Sequence, residues 1–143
     1  MAANKYMCHG MVLYRLIGNQ SINIYQDKKT SAYIINDKIA IMIKYSTKRL
    51  SPWTFTINRD FNFSIDSLSN DYIVFVTLVC NDDGIACLTY DDYSYITCFG
   101  SYDINSIFIK RKKNESYTVK GTERSLEHKV KDCDLPNLIN SLI

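Results

Sequence analysis

Glycine and proline are scarce in this chain, at five and two of 143 residues, which excludes a collagenous or low-complexity polypeptide. Long apolar runs are missing too. None approaches the ~20 residues of a membrane span. The first apolar stretch, Met11 to Ile17, is short and interrupted by Arg15, so the opening residues do not read as a signal peptide. There are only two histidines, His9 and His128, and neither an HxxxH spacing nor a Cys-His cluster, so zinc chemistry has no ligand set. Glycine-rich phosphate loops of the GxGxxG or GxxxxGK[ST] type are absent. The five cysteines, Cys8, Cys80, Cys87, Cys98 and Cys133, are odd in number and include no CxxC pair. Three of them sit in apolar runs, as free buried thiols of a reducing, cytoplasmic compartment do.

What is present suits one domain over residues 1–143. Hydrophobic residues make up 46% of the chain, and a domain of this size buries roughly 70% of the surface that its unfolded chain exposes. The abundance of Ile, Asn, Lys, Tyr and Asp points to an AT-rich genome, with bacterial, phage and viral sources all open. Net charge is only +2, but the charge is segregated. Every charged residue between Asn70 and Ile104 is an aspartate. The Lys28–Arg59 stretch carries seven bases against Asp37 alone, and Ile107–Lys131 carries eight bases against three glutamates. Two basic segments flanking an acidic one predict a bipolar surface that permits contact with a polyanion.

The periodicity predicts a short helix over His9–Leu16, stopped by Gly18-Asn19. Strands follow at Ser21–Gln26 and Ser31–Ile35. After the turn signal Asn36-Asp37-Lys38, the run Ile39–Ile43 is apolar on both faces and reads as a central strand ended by Lys44. Trp53–Ile57 alternates cleanly, with Pro52 at its start. Phe63–Ser69 makes a short helix or turn. Tyr72–Cys80 is the strongest β signal, Ile85–Tyr90 the next strand, and Asp91 caps a short helix through Thr97 that Phe99-Gly100 stops. Ser106–Arg111 and Ser116–Lys120 form a hairpin around Lys113-Asn114. Leu135–Ile143 is a short apolar tail. The class is therefore α+β, with a mixed central β-sheet, few short helices and a C-terminal hairpin.

The segment Ile39-Ala40-Ile41-Met42-Ile43-Lys44-Tyr45-Ser46-Thr47-Lys48 resembles the central motif strand of the PD-(D/E)XK nuclease superfamily. Leu50-Ser51-Pro52-Trp53-Thr54-Phe55 resembles the strand that follows in some members, and the element order of residues 9–98 continues the likeness. The resemblance implies two acids and a lysine around a divalent metal. One acid begins a strand. The other stands two residues before the lysine, so that both point to one face. Carboxylate oxygens would hold Mg²⁺, and metal and lysine together would activate water. Lys44 matches the lysine. Asp27 and Asp37 are the candidates for the first acid, with Asp37 more naturally a turn residue. The second acid's position is Met42, which cannot bind Mg²⁺, and the first helix offers no replacement carboxylate.

The expected function is accordingly a noncatalytic or catalytically impaired nuclease-like domain that binds nucleic acid or a nucleic-acid-processing protein. No cofactor is expected unless the nuclease is active, when Mg²⁺ is needed. Two other readings stand beside it: a small phage or viral interaction protein inhibiting a host factor, and an active Mg²⁺-dependent nuclease. Nucleic-acid contact would fall to Lys48, Arg49 and Trp53, bases beside an aromatic, or to Lys110, Arg111, Lys112 and Lys113 at the hairpin. Each has a plainer structural role. Trp53 alternates in phase with Phe55 and Ile57 as a core residue does, and lysines on an edge hairpin discourage strand pairing. Lys44 can be a strand-end lysine with its stem on the core. All five cysteines should be free, so a thermal melt should be unchanged by reductant. A clear loss of stability under reduction would place the chain in an oxidising compartment instead.

Overall fold

A computed structural model describes residues 4–17, 22–97, 104–122, 124–132, 137–138 and 142. Its architecture follows from two strands that bury both faces. β3 (Ile39–Ser46) and β5 (Ile73–Cys80) pair in parallel, Ile39 opposite Ile73 through Ser46 opposite Cys80. Strands of this kind must be covered from above and below. Ala40 and Met42 of β3, with Val74, Val76 and Leu78 of β5, enter one core; Ile39 and Ile41, with Phe75 and Val79, enter the other.

The rest of the main sheet is antiparallel. β1 (Ile24–Gln26) and β2 (Tyr33–Ile35) extend it beyond β3, and β6 (Ile85–Thr89) closes the far side, in the order β1-β2-β3-β5-β6. The turn from β2 to β3 places Asn36 and Asp37 at positive φ, 50° and 56°, a conformation that Asn and Asp tolerate better than most residues.

A parallel pair cannot be joined by a hairpin. The crossover from β3 to β5 consists of β4 (Trp53–Asn58) and helix α2 (Arg59–Ser69). Asn58 caps α2 by accepting the Phe61 backbone N–H at 2.9 Å, and Ile65 and Leu68 are buried on its inner side. β4 leaves the main sheet and pairs with β7 (Ile104–Lys110), which pairs with β8 (Thr118–Lys120), making a second, three-stranded antiparallel sheet. The buried residues Trp53, Phe55 and Ile57 of β4 and Ile107 and Ile109 of β7 face the first core. Helix α3 (Tyr90–Thr97) adds Tyr93 and Ile96 to it. On the other face of the main sheet, helix α1 (Lys5–Ile17) lays down Cys8, Val12 and Leu16 at a spacing of four.

The α+β class, the mixed sheet and the C-terminal hairpin agree with expectation. Several bounds move. α1 starts four residues earlier than the apolar pattern indicates, because the Asn4 side chain accepts the Met7 N–H at 2.9 Å and opens the helix there. α2 gains a turn through the Asn58 cap. β3 runs through Lys44 to Ser46 rather than ending at Lys44, because β5 continues to pair with it. Asp92 N–H donates to Thr89 Oγ1 at 3.2 Å, so Thr89 rather than Asp91 caps α3. The second sheet was not foreseen. Gly18-Asn19, Ser21, Cys98, Phe99-Gly100, Cys133 and most of the 135–143 tail lie outside the described residues. Cys8 and Cys80 are free and buried, and Cys87 is buried, its sulfur accepting from the Thr77 hydroxyl at 3.9 Å. Among the described residues, no helix is long and apolar enough to cross a membrane.

Leu78 is fully buried between the two sheets, and truncating such a leucine destabilises by about 2–5 kcal/mol. Leu78→Ala should therefore show a loss of that order in urea unfolding. Thr56→Ala, on the exposed side of β4, should change stability by less than about 0.5 kcal/mol.

Candidate functional site

Strand β2 begins only at Tyr33, opposite Ile41. Among the described residues, no strand therefore pairs with Met42 to Ser46 of the central strand β3 on that side. A cleft of roughly 360 Å³ opens there, lined by Met42, Ile43, Lys44 and Tyr45 of β3, Thr30 and Ser31 of the loop before β2, Lys5 and His9 of α1, and Phe61 of α2. Ile43 forms part of its wall and is only half-buried, unlike Ile41, Phe75, Val76, Leu78 and Val79 of the same two strands.

Lys44 shares a strand face with Met42. Its half-buried ammonium lies 4.9 Å from the centroid of the Phe61 ring, a cation–π contact. Burial pulls its pKa below the ordinary lysine value. Among the described residues, none that lines the cleft is acidic. His9 Nδ1 and the Tyr33 hydroxyl are 2.9 Å apart. Burial and then the nearby Lys5 charge lower the His9 pKa below that of a free imidazole.

The acid–lysine set implied by the nuclease resemblance is not assembled. Met42 is 5% exposed and packs in the core. The Asp27 carboxylate is occupied within its own turn, accepting the Thr30 N–H at 2.9 Å and the Thr30 hydroxyl at 2.6 Å. Those hydrogen bonds hold its pKa below the usual carboxylate value. Asp37 accepts the Tyr25 hydroxyl at 3.1 Å at the β2–β3 turn. That turn precedes Ile39, and Lys44 stands five residues further on, about 16 Å away at ~3.3 Å per residue. Among the described residues, no group of three or more His, Cys, Asp or Glu is placed to hold a metal ion. The donor set does not fit Mg²⁺.

The proposed nucleic-acid residues divide into two groups. Trp53 is 1% exposed, and its ring N–H donates to the Lys48 carbonyl at 2.8 Å. It is a core residue that borders the groove at the loop junction with almost no exposed surface, which counts against a stacking role. Lys48 and Arg49 are exposed in the loop from β3 to β4. Arg111 is not a free hairpin cation. Its guanidinium pairs with Asp83 at 2.7 Å, donates to the Asp83 carbonyl at 2.9 Å and lies 4.3 Å from the Tyr117 ring centroid. The Tyr117 hydroxyl donates to the same Asp83 carboxylate at 2.8 Å. Burial and then this hydrogen bond push the phenol pKa up. Lys110, Lys112 and Lys113 remain exposed.

The two basic segments are joined by the β4–β7 pairing and, at its end, by a side-chain contact between their loops. The Arg111 backbone N–H donates to Ser51 Oγ at 3.1 Å, so the β7–β8 loop sits against the β3–β4 loop. Leu50, Ser51, Trp53, Asp83, Arg111, Lys113 and Asn114 line a second groove at this junction. Asn81 fastens the β3–β4 loop from below, its side-chain N–H donating to the Thr47 carbonyl at 3.2 Å. The end of the molecule where β3 and β5 finish thus carries Lys44, Lys48, Arg49 and Lys113. Asp37, Asp71 and Asp91 belong to the opposite end, where those strands begin. Asp82 and Asp83 stand at the basic end, and Asp83 is taken up by Arg111.

Sequence reasoning missed Lys5, His9, Tyr45 and Phe61. The Asn4 cap and the Cys8, Val12, Leu16 spacing were the available signals for α1; nothing local reveals that α2 brings Phe61 to Lys44. Comparison of the chain with protein-family models, curated proteins and solved structures finds no match.

The lowered His9 pKa has a defined sign. The unfolded chain takes up the proton more readily than the folded one. The corresponding stability is complete above about pH 6.5 and declines as pH falls through that value towards the lower folded pKa. His9→Gln should lessen the stability lost between about pH 7.5 and pH 5 in thermal melts. Equal losses in the two proteins would assign the decline to other groups.

Proposed function

We propose that this chain is a noncatalytic, nuclease-like domain that binds nucleic acid through the basic end of its main sheet. The observation that carries the reading is the junction of the two basic segments at the Arg111–Ser51 hydrogen bond. It brings the loops that carry Lys48, Arg49 and Lys113 together at the end of the main sheet where β3, the strand of Lys44, finishes. Clustered bases of this kind bind phosphates mainly by releasing condensed counterions. The succession α1, β1, β2, β3, β4, α2, β5, with the lysine-bearing strand at the centre of the main sheet, supports the likeness to PD-(D/E)XK nucleases, β4 being an addition that leaves that sheet. Met42 and the engaged Asp27 and Asp37 argue against retained metal-dependent cleavage. The interaction-protein reading has its own support in α1, whose Tyr6 and Tyr14 are 85% and 80% exposed.

The test is the salt dependence of binding to a labelled oligonucleotide. Affinity should fall steeply between about 50 and 200 mM salt, and each phosphate contact removed should flatten the log–log slope by about 0.7–0.9. Neutralising Lys48 and Arg49 together should flatten it, as should neutralising Lys110, Lys112 and Lys113. Arg111 is left in place in both variants because it is structural. Added Mg²⁺ should give no cleavage of DNA or RNA. Cleavage that disappears in Lys44→Ala would overturn the noncatalytic reading. Binding without salt dependence, or no binding, would favour a protein partner.

A further inference from the structure

The cleft beside Lys44 has features that the loop bases do not require. Its floor is the uncovered edge of a central strand, Met42–Tyr45. Lys44 and Tyr45 are consecutive, so their side chains leave the strand on opposite faces, and both residues are among those that line the cleft at the strand's edge. Lys44 brings an ammonium with no acid among the lining residues. Lys5 brings a second, at the start of a helix whose first turn holds no acid and whose amide groups add positive potential there. Tyr45 is 38% exposed and offers a ring. At roughly 360 Å³, the space is near the lower end of small-ligand sites, about 300–1,000 Å³. It suits one nucleotide-sized group and cannot admit two paired strands.

We infer that the ligand of this cleft is single-stranded nucleic acid, one nucleotide of which enters it with its phosphate on Lys44 and Lys5 and its base against Tyr45. The inference rests on the nucleic-acid-binding reading and narrows it. Charge alone would draw single and double strands alike. An aromatic ring beside the charge selects a strand whose bases are free to stack, with little regard for sequence. Phe61 has a different part: its ring carries the Lys44 ammonium and fixes where the phosphate is met.

Fluorescence anisotropy with labelled oligothymidine, oligoadenine and a duplex of equal length separates the two levels of the proposal. The wild-type protein should bind both single strands more tightly than the duplex. Tyr45→Ala should weaken single-strand binding roughly fivefold to a hundredfold, the range for losing one stacked base. It should leave the salt slope unchanged, and Tyr45→Phe should retain wild-type affinity. Lys44→Met, which keeps the stem against Phe61, should flatten the salt slope by about 0.7. Thermal melts of the variants exclude unfolding as the cause. Equal affinity for duplex and single strands, or a folded Tyr45→Ala that binds as wild type does, would overturn the single-strand inference while salt-dependent binding kept the broader reading. Failure of the wild-type protein to bind any of the three would overturn both.

Discussion

The parallel pairing of β3 with β5 is the constraint from which the rest of the structure follows. Both strands are apolar on both faces, so each face of the main sheet needs a cover. Because they run in one direction, the chain must travel from the end of one back to the start of the other. It does so through β4 and α2. α2 covers the sheet, while β4 turns aside and founds the second sheet. Trp53, Phe55 and Ile57 are buried because β4, paired with β7, turns that face onto the core it shares with the main sheet. α1 closes the opposite face. The short β2 then leaves the far half of β3 uncovered on one side, and the cleft results from that difference in strand length.

The same topology sorts the charges. β3 and β5 finish at one end; the loop that leaves β3 carries Lys48 and Arg49, and the turn that leaves β5 carries Asp82 and Asp83, of which Asp83 is paired with Arg111. The turns at the other end hold Asp37, Asp71 and Asp91. The hairpin between β7 and β8 could have projected into solvent. Arg111 prevents that by reaching back to the Asp83 carboxylate and carbonyl beneath the Tyr117 ring. This arginine differs from its lysine neighbours in the property that matters. Its planar fork accommodates two acceptors and stacks on an aromatic ring at once. Substituting lysine would keep the charge and lose the clasp.

The sequence makes the framework legible where the signal is local. Ile39–Ile43 and Tyr72–Cys80 announce central strands by continuous apolarity, and Asn36-Asp37 announces the turn by its tolerance of positive φ. The Lys113-Asn114 hairpin is legible for the same reason, with Asn114 at φ 67°. Trp53 was recognisable as a core residue from its phase with Phe55 and Ile57. Its proposed nucleic-acid role required ignoring that phase. Illegible were the relations made by tertiary packing. The pairing of β4 with β7 joins segments some fifty residues apart, and alternation says which face of each is buried without saying who its neighbour is. Arg111 reads in sequence as one of four equivalent bases, because its partner Asp83 lies in a distant acidic segment. The cleft is legible only as a gap, the acid missing at Met42, since Lys5 and His9 reach it through a helix that begins earlier than its apolar residues indicate.

The uncovered edge of β3 has a consequence for the protein in company with itself. An unpaired edge of a central strand is a template on which another copy could add a strand and begin aggregation. Here that edge lies at the bottom of a cleft narrowed by α1 and the loop before β2, with Lys44 on the strand and Lys5 at its margin. A second copy approaching edge to edge would bring its own lysines against these, and like charges would have to meet in partly desolvated surroundings. Positive charge thus guards the strand against its own kind, and it does so whether or not a ligand is present.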